Sequence, residues 1–279
     1  MPEGDTLYNL AALLRPALVG KAVVRLELAR LAGDARLLVG TQITAVEARG
    51  KNLLIHFDDE WVLHTHLKLS GAWHLYRPGE SWRRAPARAR VVLEVDDAQA
   101  VCFDAPVVRV LKEASLRRDE ALAGLGPDLL GAQLDLGLAV SRLRLLADWP
   151  LGVALMHQQA VCGIGNVYKS EVLFLERLDP FQAVSALRPE VLGQALLRAR
   201  ALLQANVGDE APWRRTTRQA SPTEGSKLWV YRRRQQPCFR CGDAVRMKRQ
   251  GQALRSTYFC PTCQHISADA LAGLFAPVK

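Results

Sequence analysis

A chain of 279 residues, 49% hydrophobic and 23% charged, is long enough for about two domains with ordinary cores and is neither disordered nor fibrous. No apolar run nears the roughly eighteen residues needed to cross a bilayer, and Glu3 with Asp5 at the start argues against a secretory signal, so a soluble cytoplasmic protein with no membrane association is expected. The net charge of +9 favours a polyanionic partner, and it is concentrated: between residues 212 and 255 twelve Lys and Arg stand against Glu224 and Asp243, a surplus of 12 − 2 = +10.

The chain opens Met1-Pro2-Glu3-Gly4-Asp5-Thr6. A small residue beside the initiator favours removal of Met1, which leaves Pro2 as a secondary amine. With a reference pKa near 8, an α-amine is partly unprotonated at neutral pH and can attack an electrophilic carbon to form a Schiff base. Glu3, one residue away, is within reach for general acid work. Taken alone, the same residues also suit a solvated terminus.

Leu7, Leu10, Leu14 and Leu18 at helical spacing predict a helix over residues 3–19, closed by Gly20. Short runs rich in Val, Leu and Ile follow at 22–28, 42–46, 52–57, 61–66, 72–76, 90–95 and 100–103, with turn signals between several of them. This is the pattern of an antiparallel sandwich or barrel. The pattern loosens over 112–138, where Gly124, Gly126, Pro127 and Gly131 crowd together and a boundary is expected. Helices are predicted at 140–147, 152–159, 166–177 and 189–205, then a polar connection over 208–226 and a small cysteine-bearing module.

Cys238-x-x-Cys241 and Cys260-x-x-Cys263, eighteen residues apart, have the spacing of a four-thiolate zinc site. Such a closed shell makes one Zn²⁺ a structural ion that folds a module too small for its own core. His265 is surplus to that shell, and Cys102 and Cys162 sit in apolar settings that suit buried thiols. Between the knuckles, residues 246–259 predict two strands around Gln250-Gly251-Gln252, with Arg255 on the returning strand and suited to hold a phosphate with its fork. Ahead of the helix at 166, Gly163-Ile164-Gly165-Asn166 offers a tight turn, Asn166 as N-cap and exposed amides for a phosphate. A plain helix-to-helix turn would look the same.

Taken in order, six segments resemble the formamidopyrimidine-DNA glycosylase and endonuclease VIII family. They are Met1-Pro2-Glu3-Gly4, the stretch 48–54 (Ala-Arg-Gly-Lys-Asn-Leu-Leu), the stretch 66–71 (His-Leu-Lys-Leu-Ser-Gly), Leu125-Gly126-Pro127, the stretch 163–171 and the cysteine module with Arg255. The resemblance implies an α+β multidomain enzyme. Residues 1–115 would be a catalytic N-terminal helix and antiparallel β-sandwich, 116–138 a linker, 139–226 a helix-two-turn-helix DNA-binding domain, 227–266 a Cys₄ zinc finger and 267–279 a tail. It implies Pro2 as the nucleophile, Glu3 as the acid that opens the sugar ring, and Lys51 and Arg255 as catalytic cations. Asn166 and Arg255 become phosphate ligands and Leu69 the apolar wedge in the base stack. Damaged double-stranded DNA is the implied partner, and a bacterial, nucleoid-associated monomer is expected.

Departures from the family pattern bear on the lesion. Gly4 replaces a leucine typical of the guanine-lesion branch, Thr6 replaces a glutamate, and residues 104–109 (Asp-Ala-Pro-Val-Val-Arg) lack that branch's void-filling arginine and aromatic in register. Gly152 stands where that branch tends to carry a lysine. These differences favour oxidised pyrimidines over oxidised purines; a zinc-ribbon damaged-DNA binder without catalysis is the alternative of another class. Trp213 and Arg214 are candidates for stacking on the flipped base.

Overall fold

The computed structural model describes residues 2–29, 36–208, 215–219 and 225–275, and the chain divides into two units, Met1–Leu125 and Gly126–Lys279. In the first, α1 (Gly4–Leu18) forms where Leu7, Ala11, Leu14 and Leu18 share one face, and all four are buried. Eight strands follow: β1 (Arg25–Leu28), β2 (Ile43–Arg49), β3 (Asn52–Phe57), β4 (Trp61–His66), β5 (Ala72–Tyr76), β6 (Ala89–Val95), β7 (Ala98–Phe103) and β8 (Val107–Lys112). They make two four-stranded antiparallel sheets, ordered β2-β3-β4-β8 and β1-β6-β7-β5. Leu26, Leu93 and Cys102 from one sheet, Ile43, Leu53 and Leu63 from the other, and the buried face of α1 belong to one core.

Both sheets are also covered outside. Val101 and Phe103 of β7 join Tyr76, Val92 and Trp82 in a second cluster, which is why β7 is buried along its whole length. On the other sheet, α2 (Glu113–Leu116) and α3 (Glu120–Ala123) lay Leu116 and Leu122 against Leu54 and Val62. The stretch expected as a linker is therefore packed. Its first part caps the sheet, and its second joins the helical core through Leu129, with the Cys162 amide donating to the Pro127 carbonyl at 3.1 Å. Strand β8 was not expected, because its residues are all half-buried and show neither alternation nor a buried run.

In the second unit α4 (Leu136–Arg144), α5 (Leu151–Ala154), α6 (Asn166–Leu175) and α7 (Pro189–Gln204) share one core. Helix α5 is shorter than the predicted 152–159 because Gln158 turns the chain: its amide donates to the Met156 and Ile164 carbonyls at 2.7 and 3.2 Å, and its Oε1 accepts from the Gly163 amide at 3.2 Å. The hairpin of β9 (Arg246–Gln250) and β10 (Arg255–Phe259) follows, then α8 (Ala268–Phe275). Val230, Cys238, Val245 and Cys260 cluster on Phe174, so the cysteine module rests on the end of α6.

Candidate functional site

Pro2 is half-buried at the head of α1, and Glu3, the N-cap, is wholly buried. Thr6 braces this start: its Oγ1 accepts from the Glu3 amide at 3.4 Å and donates to Asp5 Oδ1 at 3.3 Å. The unusual residue at position 6 thus has a local structural use, as the N3 partner of a helix cap. Met1 lies outside the described residues.

Lys51 occupies a two-residue hairpin loop between β2 and β3, closed by the Arg49–Asn52 pair. Gly50, at the first central position with φ 59°, supplies the left-handed backbone that such a turn needs. Asn52 stiffens the base of the hairpin, donating to the Arg49 carbonyl at 3.1 Å and meeting His64 Nε2 at 2.9 Å. On β4, His64 and His66 are both pushed down to about 4, chiefly by burial, and for His66 also by Lys68 and Lys51. Both rings are neutral at physiological pH, and His66 Nδ1 accepts from the Lys68 amide at 3.1 Å. That bond holds the turn that presents Leu69, which is 62% exposed. Lys51 and Lys68 therefore make one corner of the first unit basic around the neutral His66, with the exposed Leu69 on the adjoining turn.

In the second unit Gly165, not Asn166, is the N-cap of α6; Asn166 is the first helical residue, so its side chain is released from capping. Its carbonyl accepts from Ser170 Oγ at 2.9 Å, and that oxygen accepts from the Tyr258 amide of β10 at 3.2 Å. The helix that begins with Asn166 is thereby tied to the strand that begins with Arg255. One residue on, Glu171 is wholly buried and accepts from the backbone amides of Trp229, Val230 and Tyr231 at 2.7, 2.9 and 2.9 Å, and from the Thr217 hydroxyl. Burial pushes its carboxyl above the usual range, against the pull of these four donors.

The sulfurs of Cys238, Cys241, Cys260 and Cys263 lie within 4.8 Å of one another, with Cys238–Cys263 at 3.8 Å and Cys241–Cys260 at 3.4 Å. A tetrahedral ion with Zn–S bonds of about 2.3 Å requires sulfur–sulfur edges of about 3.8 Å, so the four thiols fit Zn²⁺. They are too far apart for disulfides, which need about 2 Å. His265 is exposed, as expected of a residue outside the shell, and Cys102 and Cys162 are buried.

Residues 1–106 match the formamidopyrimidine-DNA glycosylase N-terminal domain, 125–216 the formamidopyrimidine-DNA glycosylase H2TH domain, and 235–266 the zinc finger found in FPG and IleRS. The chain is 40% identical over 268 residues to a probable endonuclease 8 2 of Streptomyces coelicolor, covering 95% of this chain and 94% of that protein. This chain belongs to the formamidopyrimidine-DNA glycosylase and endonuclease VIII family. A DNA-(apurinic or apyrimidinic site) lyase Nei2 of Mycolicibacterium smegmatis is 38% identical, with coverage of 96% and 100%. The crystal structure of the MutM (FPG) protein of Thermus thermophilus superposes with a TM-score of 0.78 at 27% identity, covering 95% and 100% of the two chains.

Within this family member the basic stretch is less available than its charge suggests. Arg233 is buried, donates to the Trp229 and Pro237 carbonyls at 2.5 and 2.6 Å and stacks 3.3 Å from the Phe239 ring centre. Arg218 and Arg240 lie over Phe239 and Phe174 at 4.0 and 4.7 Å. These three arginines hold the zinc module together, so the surplus of +10 overstates the charge free to meet phosphates. Trp213 and Arg214 lie outside the described residues. His66, Ser170 and Glu171 stand in the family segments without an assigned role; their signal was there, but their partners are 2 to 88 residues away and only folding reveals them. Among the described residues no helix is long and apolar enough to cross a membrane.

Proposed function

We propose that this chain is a bifunctional DNA glycosylase and abasic-site lyase that acts, as a monomer in the bacterial cytoplasm, on damaged double-stranded DNA, with oxidised pyrimidines as its preferred lesions. The observation that carries the reading is Pro2 at the head of α1 beside a wholly buried Glu3, in a chain akin over its whole length to endonuclease 8 and abasic-site lyase proteins. Once Met1 is removed, the Pro2 nitrogen attacks C1′ of the flipped nucleotide and the damaged base leaves with its electron pair and a proton. Glu3 donates to the ring oxygen as the sugar opens, giving an iminium between Pro2 and C1′. The iminium acidifies C2′; loss of that proton expels the 3′ phosphate, and a second elimination expels the 5′ phosphate. Lys51, Asn166 and Arg255 hold the flanking phosphates, and Leu69 enters the stack at the vacated position. The Cys₄ zinc ion is structural and takes no part in these steps.

Two features support the pyrimidine preference. Arg109, the arginine nearest the motif of the guanine branch, lies on β8 and is bound to Asp119 at 2.5 Å. Gly152, where that branch tends to carry a lysine, has Gln250 Oε1 2.5 Å from where a Cβ would stand, so the space a longer side chain would need is taken by the Gln250 amide. Borohydride trapping on abasic duplex is the test. Wild type is expected to form a covalent adduct that Pro2→Gly abolishes, and to cut thymine glycol or dihydrouracil duplexes faster than an 8-oxoguanine:cytosine duplex. The reverse order would make the chain an oxidised-purine enzyme; no adduct would make it a binding protein.

A further inference from the structure

We propose that Gln250 is a positioning residue for Arg255: it is a second anchor, opposite the zinc, that fixes the tip of the β9–β10 hairpin to the helical core. The proposal rests on the reading of Arg255 as a phosphate ligand. A two-stranded hairpin is marginal on its own, and the cysteines clamp only the end at Cys260, five residues from Arg255. At about 3.3 Å per residue the zinc lies some 15 Å from the tip, and the Ser170–Tyr258 bond holds β10 three residues short of Arg255, so neither reaches the tip itself.

The structure closes that end. Gln250 is directly opposite Arg255 in the ladder, so the two side chains share a face. Unlike the exposed turn residues that follow it, Gln250 is only 8% exposed. Its Nε2 donates to the Pro180 carbonyl at 3.0 Å, and its Oε1 accepts from Thr257 Oγ1, on the same face of β10, at 2.5 Å. The pocket exists because position 152 is glycine: a Cβ there would meet Gln250 Oε1 at 2.5 Å, while the Gly152 amide shares the Pro180 carbonyl at 2.9 Å. The next residue, Gly251, passes close to Val153 of α5, whose methyl would lie 3.2 Å from a Cβ. Gly152 and Gln250 are thus two halves of one contact. The glycine distinguishes this chain from the guanine branch, and the space it leaves is filled by the amide that holds the tip.

A purely structural glutamine would lower stability and leave phosphate binding alone, so the test reads the salt dependence of DNA binding. Zinc-loaded wild type, Arg255→Ala, Gln250→Ala and the double variant are titrated with a duplex carrying a stable abasic analogue across a range of salt. Loss of one phosphate contact lowers the slope of log K against log[salt] by about 0.9. Arg255→Ala is expected to show that loss, Gln250→Ala most of it, and the double variant no more than Arg255→Ala alone. Gln250→Glu, which keeps the acceptor for Thr257 but not the donor to Pro180, and Gly152→Ala, which pushes the amide out, are expected to lose part of the slope; these two decide the matter if Gln250→Ala does not retain zinc. A wild-type slope in the Gln250 and Gly152 variants beside a reduced slope in Arg255→Ala overturns the proposal and leaves Arg255 as a ligand. An unchanged slope in Arg255→Ala removes the reading of Arg255, and the proposal with it.

Discussion

Replacing Glu171 with alanine removes the acceptor that gathers residues 229–231 onto α6. Three backbone amides and the Thr217 hydroxyl lose their partner at once, and Val230 is fully buried, so water cannot take over there. A stranded buried donor costs about 1–3 kcal/mol; with two of the three amides only half-buried, the expected loss is about 3–6 kcal/mol. That is a large share of the roughly 5–15 kcal/mol by which a domain is stable. At about 2–4 °C per kcal/mol for a unit of this size, Tm should fall by on the order of 10 °C. Glu171→Gln keeps one acceptor oxygen but turns an NH₂ towards donors, and should cost about half as much. The assay is urea and thermal unfolding of the zinc-loaded protein, with zinc stoichiometry measured alongside. If Glu171→Ala unfolds within about 1 kcal/mol of wild type, the carboxylate is not what holds the module.

Two further outcomes are expected. Cys260→Ser should lose zinc and with it DNA affinity, because the shell closes the hairpin that carries Arg255, while near-UV signals from Trp61 and Trp73 in the first unit persist; zinc titration and circular dichroism read both, and a zinc-free variant with full affinity would contradict the structural role. His64 and His66 sit at about 4 in the folded chain against about 6.5 when unfolded. The unfolded chain therefore binds more protons between these values, so stability is full above pH 6.5 and falls as pH drops towards 4, by on the order of 2 kcal/mol per histidine after allowance for partial exposure. Urea unfolding at about pH 7.5 and about pH 5 measures this, and an equal slope in His64→Gln/His66→Gln would assign it to other groups.

Much of this protein was legible before folding because its signals are local. The helical spacing of Leu7, Leu14 and Leu18, the turn at Gly50-Lys51 and the paired Cys-x-x-Cys knuckles each depend on residues within a few positions of one another. Strand β8 was hidden because pairing with β4, not its own pattern, makes it a strand. Asn166 was misplaced by one position, since a glycine with extended backbone can cap a helix as well as a side chain can. The basic stretch showed its charge but not its use: whether an arginine faces solvent or lies on Phe239 is decided by the aromatic cluster beside α6.

The sequence by itself determined the family, the zinc shell and the likeness to endonuclease VIII, and it is what proposes Pro2 as the nucleophile; all of these rest on residue identity at fixed spacing. Only the tertiary structure decided what holds those residues in place. The acceptors that tie Asn166 to β10 and Glu171 to the module, and the amide of Gln250 lodged against Gly152, act across 58 to 98 residues of chain. A buried hydrogen bond of that kind has no sequence signature, because its partner is fixed by where the backbone returns and not by what stands beside it.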